Sequence, residues 1–175
     1  MPHDPAWAKA FELEVGAICR GLGGSIIELH HIGSTSIPGI LAKPVIDMLG
    51  IVEELSIVDQ QTSVFRSLEY EVLGEHGIEG RRYFRKSAGH GHRTHHLHVY
   101  KFGHPNIERH VAFRDYLRSH PDKAKQYSDL KVQIIAARSM TSSQYMEAKH
   151  PFIMETLTAA LQWYRNPPIT CSNLR

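Results

Sequence analysis

The segment from His30 to Val52 constrains the fold more than any other part of the sequence. An apolar, strand-like run ends at Gly33, a short turn rich in Ser, Thr and Gly follows, and a second apolar run carries Asp47. Because aspartate is disfavoured inside a β-strand, Asp47 requires a polar partner, a metal ion or an exposed face. The segment therefore predicts two strands joined by a polar turn, with one acidic side chain on the second strand.

The remaining elements follow from periodicity and from glycine and proline positions. Strands are predicted over residues 25–32, 44–52, 68–73, 81–86 and 94–101. Asp4-Pro5 predicts a helix start, and glycines at 21–24 predict its end. Further helices are predicted over residues 55–67, 107–119, 121–138 and 142–164, with Pro151 expected to kink or break the last of them.

This order indicates an α+β fold, a mixed β-sheet packed with helices and followed by a C-terminal helical region. A length of 175 residues fits a single domain, placed at residues 1–165, with a tail at 166–175. A formal charge of +2 argues against a long nucleic acid as partner. No apolar run is long enough to cross a membrane, and two cysteines fit a cytoplasmic location.

The turn after the first strand is suited to binding a phosphate group. Gly33 allows close approach of the backbone to a ligand, the turn offers free N–H groups, and three hydroxyl side chains follow it: Ser34, Thr35 and Ser36. The alternative is a tight turn beside an aspartate that faces solvent, and spacing alone does not separate the two interpretations.

The sequence IGSTSIPGILAKPVID strongly resembles the GrpB family, whose members look like small relatives of the DNA polymerase beta type nucleotidyltransferases. The resemblance continues through THHLHVY, through FRDYLRSHPDKAKQYSDLK, and through the pattern of Tyr145, Lys149 and Phe152. It covers nearly the whole chain. It implies a nucleotidyltransferase-like fold and a small phosphorylated ligand.

The superfamily signature is a Gly-Ser pair followed by two acidic residues separated by one apolar residue. Gly33-Ser34 and Asp47 match it, but Leu49 stands at the second acidic position. Side chains at 47 and 49 share one strand face, as two metal-bridging carboxylates must. The resemblance therefore implies at most one weakly held Mg²⁺, bound by Asp47 and the phosphates of a nucleotide.

Two histidines on a neighbouring strand are further candidates. His96 and His98 share one face of the predicted strand, and the superfamily carries its third acid on a strand next to the first two. We assign Asp47 and His98 as candidate catalytic residues and His96 as a ligand-binding residue. The alternatives are hydrogen bonding within the core and a transition-metal site formed with Asp47. His31 lies beside the turn and is also positioned for the site.

Cations interrupt the apolar stripes of the late helices. Arg114, Lys131 and Lys149 each fall within or beside such a stripe, where a charge requires a partner or a wet pocket. We predict that they line one anionic pocket together with Lys43 of the family motif. Ion pairing with Asp115 or Asp122 is the alternative.

Three functions follow from these residues. The first is a nucleotide-binding protein that transfers NMP from an NTP to a small-molecule or protein acceptor with Mg²⁺ at Asp47. The second is a non-catalytic sensor of a nucleotide or another phosphorylated metabolite, or an accessory domain, since family members resemble a domain fused to dephospho-coenzyme A kinase. The third is a transition-metal enzyme built on Asp47, His96 and His98.

Overall fold

The fold is taken from a computed structural model that describes residues 1–136 and 141–166, without the side chains of His90, Ser142 and Ser143. Its strands are β1 (Glu28–Ile32), β2 (Ile46–Val52), β3 (Tyr70–Val72), β4 (Arg81–Ser87) and β5 (Arg93–Lys101). Its α-helices are α1 (Ala6–Leu22), α2 (Leu55–Gln60), α3 (Thr62–Ser67), α4 (Pro105–Ser119), α5 (Pro121–Ala136) and α6 (Ser142–Arg165). Two single-turn 3-10 helices, Ser34–Ser36 and Gly89–Gly91, complete the list of elements.

The five strands form one mixed sheet in the order β1-β2-β5-β4-β3. β2 and β5 are parallel, and the other three pairs are antiparallel. The register places Asp47 opposite His96 and Leu49 opposite His98 on the two central strands. The sheet therefore brings Asp47 and both predicted histidines together on two neighbouring interior strands.

Side-chain alternation gives the sheet two different faces. One face buries the main apolar core beneath α1 and α3, including Met48, Phe65 and Leu97. The opposite face packs Leu49 and Tyr100 against α4 in a smaller apolar cluster. Asp47, His96 and His98 alternate with the first set, so they lie on the face that α4 covers.

Several predicted boundaries differ from the structure. The helix predicted over 55–67 is two helices, because the backbone of Gln61 (φ −104°, ψ 18°) leaves the helical conformation. The strand predicted from 44 begins at Ile46, since Pro44 has no N–H to donate to a neighbouring strand. The strand predicted over 68–73 is shortened to Tyr70–Val72 after the positive φ of Glu69 (67°).

Apart from the break at Gln61, the helix boundaries within the described residues lie within two residues of those predicted. α1 ends at Gly23, which adopts the left-handed conformation, and Asp4 Oδ1 accepts the N–H of Ala6 at 2.9 Å. α6 continues through Pro151 instead of breaking, and Phe152 stacks on Tyr127 of α5 with ring centroids 5.4 Å apart. The predicted end of α5 at 138 and, apart from residue 166, the predicted tail lie outside the described residues. None of the described helices is long and apolar enough to cross a membrane.

Candidate functional site

Gly33 begins the site by bringing the turn onto Asp47. Its φ of 68° and ψ of −174° belong to a region that only glycine adopts readily. A Cβ atom at this position would lie 2.3 Å from Asp47 Oδ2 and 2.8 Å from Asp47 Cβ. The sequence predicted that Gly33 allows close approach to a ligand. In the structure it allows close approach to the carboxylate of Asp47.

Two of the three predicted hydroxyl groups donate to backbone carbonyls of the protein. Thr35 Oγ1 donates to the carbonyl of Val45 at 3.1 Å, and Ser36 Oγ donates to the carbonyl of Gly33 at 2.7 Å. Both side chains are buried. The hydroxyls of Thr35 and Ser36, predicted to bind phosphate, thus donate to backbone carbonyls and hold the turn in place. Ser34 instead accepts a hydrogen bond from Lys131 Nζ at 3.2 Å.

His31 supports the turn from the core side. Its Nε2 lies 3.0 Å from Thr35 Oγ1, and its ring stacks on Phe11 with centroids 4.9 Å apart. Because the Thr35 hydroxyl proton goes to Val45, His31 Nε2 is the donor in this bond. Burial, followed by the charge of Arg118, lowers the pKa of His31 to about 4, so the imidazole is neutral at pH 7. His31 is a structural support of the site.

Asp47 and His96 form a pair across the two parallel strands. His96 Nδ1 donates to Asp47 Oδ1 at 2.9 Å, and 30% of the Asp47 side chain remains exposed. His96 Nε2 is buried and has no hydrogen-bond partner among the described residues. Of the two histidines expected near Asp47, His96 is the one that contacts it.

His98 occupies a different environment from the one predicted. Its Nδ1 lies 3.3 Å from Arg81 Nη1, and its ring packs against Tyr83 and His110. Burial, with smaller contributions from the charges of His110 and Arg81, lowers the pKa of His98 well below its ordinary value. The neutral imidazole accepts from Arg81, and no hydrogen bond or ion pair within the described residues joins it to Asp47.

Three of the four cations expected in the pocket are lysines that lie against aromatic rings, and one of them contacts the turn. Lys131 Nζ donates to Ser34 and to the carbonyl of Leu41, and it lies 4.5 Å from the ring centroid of Tyr127. Lys149 Nζ and Lys43 Nζ lie 4.4 Å and 5.4 Å from the ring centroid of Tyr145. Aromatic faces thus contact all three ammonium groups.

Burial and, to a smaller extent, neighbouring positive charge lower the pKa values of two of these lysines. Burial, followed by the charge of Lys149, lowers the pKa of Lys131 to about 8. Burial and the charge of Lys43 lower the pKa of Lys149, while Asp47 opposes that shift. Across residues 1–136 and 141–166, no ion pair within 4.0 Å joins any of these three ammonium groups to a carboxylate. We call Ser34, Lys43, Lys131 and Lys149 the lysine pocket.

Arg114 does not join the lysine pocket. Its guanidinium pairs with Asp115 at 2.7 and 3.0 Å and donates to the carbonyl of His31 at 3.2 Å. The alternative of an ion pair with Asp115 is therefore the arrangement that forms. Arg118, which the sequence did not indicate, donates to the carbonyl of Ser36 at 2.9 Å. Arg114 and Arg118 of α4 hold both ends of the turn.

The residue at position 49 affects how well the neighbouring Asp47 can bind a metal ion. Leu49 is fully buried in an apolar cluster at the position of the second superfamily carboxylate. Asp47 Oδ1 is bonded to His96, and Asp47 Oδ2 faces the backbone of Gly33. No three His, Cys, Asp or Glu side chains of the described residues form a group suited to a metal. The donor set does not fit a two-metal centre or a His-Asp transition-metal site.

Comparisons with known proteins agree with this fold. The GrpB protein family model matches residues 1–159. The UPF0157 protein YqkA of Bacillus subtilis is 43% identical over 176 residues, which are 98% of this chain and 51% of YqkA. The chain thus spans about half the length of that relative.

Two solved structures have folds similar to that of this chain. The crystal structure of GrpB from Enterococcus faecalis superposes with a TM-score of 0.89 and 42% identity, covering 95% of this chain and 99% of that one. The Cid1 poly(U) polymerase, solved with MgGTP bound, matches with a TM-score of 0.53 and 13% identity over 79% of this chain and 45% of that one. The second likeness shows a nucleotidyltransferase-like fold and nothing about activity. With the family model covering most of its length, this chain belongs to the GrpB family.

Proposed function

We propose that this chain binds a nucleotide, or another small phosphorylated ligand, in the lysine pocket. The observation that carries the proposal is the set of three ammonium groups without a carboxylate partner among the described residues. Lys131 is buried. Burial of a positive charge costs folding free energy, and an anionic ligand beside it lowers that cost. Ser34 adds a hydroxyl at the same place.

Nucleotidyl transfer is the catalytic form of this proposal. An acceptor hydroxyl attacks the α-phosphorus of an NTP and loses its proton to solvent. The bond between the α-phosphorus and the oxygen that bridges it to the β-phosphorus breaks, and pyrophosphate leaves. The lysine pocket then holds the phosphates, and catalysis depends on positioning and charge stabilisation. The acceptor class is a small molecule or a protein side chain. Magnesium at Asp47, expected from the sequence, is not needed for ligand binding by the lysines.

A non-catalytic sensor or accessory domain is the second candidate. The buried Leu49 favours it, because it removes one carboxylate of the superfamily signature while leaving the lysines in place. The two candidates differ in pyrophosphate release and share the same ligand site. A measurement of released pyrophosphate with ATP and a panel of hydroxyl acceptors separates them.

The binding step is tested by calorimetric titration of ATP and ADP, with and without Mg²⁺. We expect Lys149→Met to lower affinity by about tenfold or more, since a charge-assisted contact contributes about 1.5–3 kcal/mol. Lys125→Met is the matched control, because Lys125 is exposed and paired with Asp129. Equal affinities of Lys149→Met and the unmodified chain, or no binding of either nucleotide, would overturn the proposal.

A further inference from the structure

Both oxygens of Asp47 already have neighbours from the protein. Oδ1 accepts the Nδ1–H of His96 at 2.9 Å. Oδ2 lies against Gly33 so closely that a Cβ atom there would be 2.3 Å away. Mg²⁺ demands near-ideal octahedral geometry with oxygen ligands at about 2.0–2.1 Å. A divalent cation at Oδ1 therefore competes with the imidazole for the lone pairs of this oxygen.

No second carboxylate compensates for that competition. The strand position two residues beyond Asp47 holds Leu49, which is fully buried among Ile32, Tyr100 and Val111. Lys149 of the lysine pocket meanwhile supplies positive charge close enough to Asp47 for that carboxylate to oppose the lowering of the Lys149 pKa. Charge neutralisation of a polyphosphate is thus available from the lysines of the pocket.

We infer that His96 takes the coordination position of a divalent cation at Asp47, so that the lysine pocket binds its polyphosphate ligand in the metal-free form. The inference rests on the proposed function and specifies the form of its ligand. His96 acts as a positioning residue: its Nδ1–H fixes the Asp47 carboxylate against Gly33 and occupies one lone pair of Oδ1. Mg²⁺ in solution then lowers ligand affinity, because it binds the free phosphates.

The role of His96 is tested by Mn²⁺ binding to the full chain, followed by electron paramagnetic resonance. We expect weak binding to the unmodified chain and binding about tenfold tighter or more in His96→Ala and His96→Leu, given the strength of a charge-assisted hydrogen bond. Two hydrophobic variants are used because either one alone could fold poorly. Adding Asp47→Asn to each should abolish the gain. His96→Asn, which keeps an N–H donor near Nδ1, is the matched control and should behave like the unmodified chain.

Two results would overturn this assignment. The first is Mn²⁺ binding to the unmodified chain that Asp47→Asn removes and that His96→Ala leaves unchanged or weakens. The second is tighter binding in His96→Ala that persists after Asp47→Asn, which would place the ion elsewhere.

The metal-free ligand is tested by calorimetric titration of inorganic pyrophosphate, in EDTA and in excess Mg²⁺. We expect equal or tighter binding in EDTA, and loss of binding in Lys149→Met under both conditions. Binding that requires Mg²⁺ would overturn the inference and leave the phosphate site intact. Absence of binding in both conditions would overturn the proposed function itself, whereas the Mn²⁺ comparison would still decide whether His96 competes with a cation.

Discussion

Replacement of Gly33 by alanine tests whether the turn is built around Asp47. The backbone there (φ 68°, ψ −174°) costs a non-glycine residue about 1–3 kcal/mol. The added Cβ would also lie 2.3 Å from Asp47 Oδ2, and overpacking of this kind costs about 1–3 kcal/mol. We therefore expect Gly33→Ala to lower the free energy of unfolding by about 2–6 kcal/mol.

Gly39 offers a matched control for the backbone contribution. Its φ is also positive, at 78°, but an added Cβ would have nothing within 4 Å. Urea denaturation followed by the fluorescence of Trp7 and Trp163 gives both free energies of unfolding. The difference between Gly33→Ala and Gly39→Ala then reports the contact with Asp47. A difference below about 0.5 kcal/mol, the usual size of a neutral surface substitution, would refute this account of the turn.

Three further outcomes are expected. Lys131→Met should have a higher free energy of unfolding than the unmodified chain at pH 7, and this difference should shrink between pH 8 and 10.5. Because the pKa of the folded lysine is lowered to about 8, the unmodified chain gains stability as pH rises through that window. Denaturation at several pH values measures this change. Stability should fall as pH drops from 6.5 towards 4, because the pKa of His31 is lowered to about 4, and His31→Gln should flatten that dependence in the same assay. Leu49→Asp should lower the melting temperature sharply instead of restoring a second metal ligand, because the carboxylate would be buried in an apolar cluster. A melting temperature within a few degrees of that of the unmodified chain would contradict this prediction.

Much of the sheet could be predicted from the sequence because alternation is a local property. The face shared by Asp47, Leu49, His96 and His98 follows from counting residues along two strands, and the register confirms it. The proximity of Lys131 and Lys149 was likewise expected from the sequence, because a lysine within an apolar helical stripe requires a partner or a wet pocket.

The site details depend on contacts that no local pattern encodes. Arg114 pairs with the residue that follows it and reaches a backbone carbonyl of β1, and only the docking of α4 on the sheet reveals this. Arg118 reaches a carbonyl of the turn for the same reason. The hydrogen bond of the Thr35 hydroxyl could not be predicted because its acceptor, the Val45 carbonyl, lies in the segment after the turn. His110 was missed because its neighbour His98 belongs to another element.

The contact between Lys131 and Ser34 joins residues 97 positions apart, and the arginine contacts to the turn span 83 and 82 positions. Closing such long loops early is entropically unfavourable, so these links should form late in folding. During synthesis, the sheet residues leave the ribosome well before α5 and α6, which complete the pocket. Under the proposed function, affinity for a phosphorylated ligand therefore develops only after the last two helices have docked.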